Sequence, residues 1–140
     1  MSRRWCGTAL AVVLLGLAAS WTQLIAEDDK EPSIKAIMTK AHKGGNSLIK
    51  TLEKDLKSAE PDWKDDEKKA KELVKLGTAL GKNMPPKGSK ESWEKLTKSY
   101  VDTAKDLEAA VTAKEKKKAV TAHTKLTKMC AACHKAHKGK

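Results

Sequence analysis

Beyond residue 32 apolar residues recur at alternating steps of three and four, and no stretch alternates with a period of two. That spacing lays one apolar stripe along each of several helices and leaves nothing from which to build a sheet. The expected fold class is all-α, an antiparallel four-helix bundle. The first helix is expected over 33–57, with Ile34, Met38, Ala41, Gly45, Leu48 and Leu52 as its stripe. Gly44-Gly45 in its middle costs about 1 kcal/mol per glycine against alanine, and marks either a kink or the approach of something bulky.

Pro61 and Asp62 open the second helix, with Asp62 as N-cap and Ala70, Leu73, Gly77 and Leu80 facing inward, ending near Lys82. Residues 83–88, containing Pro85-Pro86, form the main loop. Ser89 caps the third helix, whose inner row is Trp93, Leu96, Tyr100, Ala104 and Leu107. Thr112 and Glu115 read as a capping box that starts the fourth helix. So short a link makes helices three and four antiparallel. The fourth carries Ala119, His123, Leu126, Cys130, Cys133 and His137 on one stripe.

The chain divides into 1–26 and 27–140. Arg3 and Arg4 precede an apolar run over 9–19, and small residues follow at Ala18-Ala19-Ser20 and at Ala26. This is the layout of a secretory signal peptide, and the run is short beside the roughly 20 residues of a membrane span. The expected location is therefore periplasmic or otherwise extracytoplasmic, with membrane contact only if the leader stays uncleaved. Of 29 basic residues both arginines go with the leader, which leaves 27 lysines against 18 acidic residues, a formal +9. No arginine and few aromatics speak against a nucleic-acid partner. An acidic protein partner fits the charge, although lysines on helical faces also serve plain solubility. With no phenylalanine, one tyrosine and two tryptophans beyond the leader, the core is lean in bulky residues. A large apolar cofactor fills such a gap.

Cys130-Ala131-Ala132-Cys133-His134 is the C-x-x-C-H pattern of covalent haem attachment. Positions i, i+3 and i+4 share a helix face. Two thiols can then meet the two vinyl groups of one porphyrin while the imidazole of His134 meets the iron. Apart from Cys6 in the leader the chain has no other cysteine. Three other readings compete. A thiol–disulfide exchange pair normally opens a helix that follows a strand, whereas this pair ends an all-helical chain. A zinc site of Cys130, Cys133, His134 and His137 has suitable donors, but one helix can hardly wrap them around a tetrahedral ion. A structural disulfide accounts for neither the histidine nor the spacing. One covalent haem c is the expected cofactor.

With this motif near the end of four helical segments, the mature chain resembles the cytochrome c′ family. The resemblance implies a haem among the helices with its distal face covered by helix one. It also implies two branches, one with an open sixth iron site and one with a methionine ligand. Ile34-Lys35-Ala36-Ile37-Met38 is similar to the family's distal segment and puts Met38 at the ligand position. Pairing of two copies through the first two helices is a further implication. The chain departs from the family after the motif, where His137-Lys138 replace the usual aromatic residue and arginine. The arginine common near the distal side is also missing, with Lys35 a loose substitute.

Met38 can equally be a core filler, and His42, one turn further on, competes with it for iron. A His/Met pair raises the reduction potential relative to two histidines. His123 reads as a buried or haem-edge polar residue, His137 as a neighbour of the proximal side, and Trp63 and Trp93 as core or end plugs. The expected function is one-electron transfer between redox protein partners, not enzyme catalysis. The alternative is a haem protein that binds or scavenges NO or CO at an open sixth site.

Overall fold

The computed structural model of the protein describes residues 31–139. The expected leader and its cleavage site lie outside them. Among the described residues no helix is long and apolar enough to cross a membrane. They form five helices, α1 (Ile34–His42), α2 (Leu48–Lys57), α3 (Trp63–Lys82), α4 (Lys90–Thr112) and α5 (Lys116–His137), and no strand.

The helix expected over 33–57 is thus two helices. Ser33 caps α1, its hydroxyl accepting from the Ala36 amide at 3.2 Å. At the other end the Lys43 amide reaches back to the Met38 carbonyl at 2.9 Å, and Gly44 turns the chain with φ at +84°. A left-handed residue cannot continue an α-helix, and glycine adopts that conformation without a Cβ penalty. The buried Ser47 hydroxyl then donates to the Gly44 carbonyl at 2.8 Å, and α2 begins. Gly45, expected on the buried stripe, is exposed. Ile37 and Ala41 of α1, and Ile49, Leu52 and Leu56 of α2, form the inward faces instead.

Asp62 caps α3 as expected, accepting from the Asp65 amide at 3.1 Å, and Ser89 caps α4, accepting from the Ser92 amide at 3.2 Å. The capping box at Thr112 does not form, because α4 runs through that residue. The Lys114 amide donates to the Val111 carbonyl at 2.9 Å and the Glu115 amide to the Ala110 carbonyl at 2.8 Å, with Lys114 at φ 57°. These paired bonds are a Schellman closure. They satisfy carbonyls at the end of α4 and swing the chain directly into α5.

Contacts between helices join residues far apart in the chain. Ser92 at the start of α4 meets His137 at the end of α5. Gly77 and Gly81 of α3 face Tyr100 and Thr97 of α4, in reversed order. Asn83 after α3 reaches Pro32 before α1, and Lys40 of α1 pairs with Glu72 of α3 at 2.6 Å. His123 of α5 bonds the Ile49 carbonyl of α2 at 2.9 Å, and Lys116 of α5 donates to the Ser58 carbonyl after α2. Leu52, Leu73, Leu107 and Leu126, one from each of α2 to α5, are wholly buried at the centre. Each such leucine contributes roughly 1.5–3 kcal/mol relative to exposure. Around Trp93 and Leu80, where α1, α4 and the end of α5 converge, the leucine layers stop and a cavity opens.

Candidate functional site

All five residues that the sequence marks as haem or iron contacts line that one cavity. Cys130, Cys133 and His134 come from the last turns of α5, and Met38 and His42 face them from α1. Leu80, Leu96, Thr97, Tyr100 and Met129 complete the wall. The cavity continues into an outer cleft of about 510 Å³, which shares Met38, His42, Cys133 and His134 with it. That volume is ordinary for a cofactor site.

The helical register accounts for the convergence. Cys130, Cys133 and His134 stand at i, i+3 and i+4 of an unbroken helix and so share a face. Met38 and His42 are four apart on α1 and share one likewise. The break after His42 lets this short helix lie against α3 and face the end of α5 across the cavity without following the path of α2.

The two thiols are free and half-buried. Burial raises the pKa of both, and at Cys133 the neighbouring Cys130 adds to the effect. Their place in the last turns of a helix offers no positive dipole end to stabilise a thiolate. A disulfide-exchange cysteine needs the opposite environment. The thiols are kept as S–H groups beside an apolar space.

The four histidines differ sharply in how they are engaged. His123 is committed to the Ile49 carbonyl, away from the cavity. His137 is buried, with Nδ1 bonding the Lys87 carbonyl at 2.8 Å and Nε2 bonding the Ser92 hydroxyl at 3.1 Å. Its ring meets the edge of Trp93 at 5.2 Å. His137 therefore ties α5 to α4 and to the loop, where the sequence placed it only loosely beside the proximal side. His42 is half-buried and its Nε2 lies 3.0 Å from the Tyr100 hydroxyl. Burial, and secondarily the charge of nearby His134, lowers its pKa to about 4, so the ring is neutral at neutral pH. His134 alone makes no side-chain hydrogen bond among the described residues, and it stands exposed at the cavity wall.

Among the described residues no three His, Cys, Asp or Glu side chains converge to hold a metal ion. The zinc arrangement fails at His137, whose two ring nitrogens are both occupied. An iron held within a porphyrin would need only one or two protein ligands, and His134, Met38 and His42 are the donor side chains that line this cavity. The outer cleft adds features suited to a large apolar molecule with acidic edges. The buried Trp93 Nε1 has no acceptor among the described residues, and Lys43 and Lys138 stand at the rim. Paired thiols, an uncommitted imidazole, apolar walls and a basic rim fit a covalently attached haem.

Tyr100 is the site residue that the sequence reading undervalued, placing it only in a core row. A Cβ on Gly77 would lie 2.6 Å from its ring, so the absent side chain is what admits the ring against α3. A lone tyrosine one helix away from its partner leaves no local pattern to read. No family model, curated protein or solved structure matches this chain.

Proposed function

We propose that this protein is an exported monohaem c-type cytochrome that carries single electrons. The reading rests on one observation: two thiols and an imidazole on one face of α5 open into the same apolar cavity as Met38 and His42 of α1. The opposed directions of neighbouring helices support an antiparallel four-helix bundle of the cytochrome c′ type, its first arm being α1 and α2 together. Export rests on the leader pattern in the sequence.

When bound, the haem supplies an Fe(III)/Fe(II) couple. The thiols of Cys130 and Cys133 would hold it through thioether bonds, an addition of S–H to the vinyl groups that requires no net oxidation. His134 and Met38 would be its protein ligands, a pair that would raise the potential relative to two histidines. Leu80, Leu96 and Met129 exclude water from the cavity. Lys43 and Lys138 at the rim of the cleft present a basic face to an acidic redox partner.

Expression of the full chain with export and haem-maturation machinery tests this reading. The expected product keeps its haem through denaturation, loses it on double replacement of Cys130 and Cys133 by alanine, and is low-spin and unchanged by CO when reduced. A colourless chain with two titratable thiols overturns the proposal. A high-spin form that binds CO or NO replaces the carrier by a gas-binding protein.

A further inference from the structure

Two side chains of α1 compete for the same place, and a third residue separates them. Met38 and His42 both face the cavity, one turn apart, opposite His134. Only His42 is tied elsewhere, its Nε2 lying 3.0 Å from the Tyr100 hydroxyl with the two rings edge to face at 5.6 Å. The bond occupies Nε2, the outer nitrogen of the ring, whichever tautomer His42 adopts. With the proton on Nδ1, the lone pair of Nε2 accepts from the phenol. With the proton on Nε2, that nitrogen has no lone pair and donates to the phenol oxygen. Met38 carries no such tether.

Tyr100 is itself fixed. It is buried in the middle of α4, and its ring lies against the bare backbone of Gly77. Its hydroxyl is thus delivered by two long helices to a short third one.

We infer that Tyr100 is a positioning residue that withholds the Nε2 of His42 from iron and so assigns the sixth ligand to Met38. The inference rests on the haem reading above and adds to it a residue outside the haem motif and the expected ligand set. Loss of a hydrogen bond of this kind shifts a competition between two states by roughly tenfold.

The test is Tyr100→Phe in the full, haem-loaded chain, read by absorption and electron paramagnetic resonance of the ferric form. The parent is expected to show the charge-transfer band of thioether ligation. The variant is expected to lose much of that band and gain a bis-imidazole signature, which Tyr100→Phe combined with His42→Ala abolishes. An unchanged spectrum in Tyr100→Phe overturns the inference, as does a parent already ligated by two imidazoles. If the variant does not fold, the unaltered ferric protein decides by proton NMR. A His42 ring strongly shifted by the iron overturns the inference, and a ring without that shift beside a shifted Met38 methyl supports it. A parent with haem but the wrong ligand refutes this inference alone, whereas a parent without haem refutes the cytochrome reading as well.

Discussion

Besides Gly44, two described residues sit in the left-handed region for different reasons. Gly88, in the loop before α4, has φ at +81°, and a Cβ there would lie 2.8 Å from the Nδ1 of His137 and 2.9 Å from the Ala136 carbonyl. Gly88→Ala is therefore expected to cost about 1–3 kcal/mol. Thermal unfolding of the haem-free chain checks it, and a melting temperature equal to the parent's contradicts the arrangement around His137. Lys114 is the opposite case, a residue with a Cβ at the closing position of the Schellman turn. There Lys114→Gly is expected to raise stability by about 1 kcal/mol in the same melt, because the strain of a non-glycine left-handed residue is removed.

Helix starts were far more legible than helix ends. Asp62 and Ser89 announce their helices because an N-cap is a local event, a side-chain oxygen meeting an amide three residues on. Thr112 and Glu115 have the same spacing, yet Thr112 remains inside α4, since backbone bonds from Lys114 and Glu115 close that helix with no glycine to signal it. The division of the first expected helix was half visible. The glycine pair marks the place, but whether the chain kinks or breaks depends on Ser47 meeting the Gly44 carbonyl. At the site, Cys130, Cys133 and His134 were legible from one turn of sequence, and Met38 from a resemblance. Tyr100 and the anchoring of His137 depend on contacts between helices and left no trace in local pattern.

The junction of α2 and α3 carries a titration of its own. Asp66 is fully buried, with one oxygen 3.3 Å from Lys69 and the other unpartnered among the described residues. Burial, reinforced by the neighbouring Asp55, raises its pKa from 3.8 to about 6. The folded state thus holds a proton that the unfolded chain releases earlier. The stability that this proton confers is complete below the unfolded value and is lost as pH rises through about 6. In the haem-free chain His42 acts in the opposite sense over an overlapping window, since its depressed pKa costs stability as pH falls. Comparison with Asp66→Asn isolates the carboxyl. The variant is expected to gain roughly 1–2 kcal/mol on the parent between pH 5 and pH 7. A parent-to-variant difference that stays constant over that range excludes a raised Asp66.

Across the whole molecule, structure and charge are arranged around one end. The central leucines fill the middle, and the cavity opens where α5 finishes, α4 begins and α1 crosses. Residues 27–140 carry a formal charge of +9, and on the proposed reading the lysines at the rim of the cleft would aim the attraction of an acidic partner at the cavity. Electron exchange with an acidic redox protein is expected to slow several-fold between roughly 10 mM and 150 mM salt. Stopped-flow rates checked against a neutral small-molecule oxidant measure this, and equal salt dependence for the two removes the steering.

The interruption at Gly44 has a consequence for assembly order. The nine residues of α1 are too few to persist as a helix without support, and Ile37 and Ala41 are their only fully buried apolar anchors. On the proposed haem reading, the longer helices would stand complete with both sulfurs open to an incoming macrocycle, while the short segment would swing shut afterwards like a door on a glycine pivot. Amide hydrogen exchange is expected to be fastest in α1 before loading and to slow there most once the haem is in place.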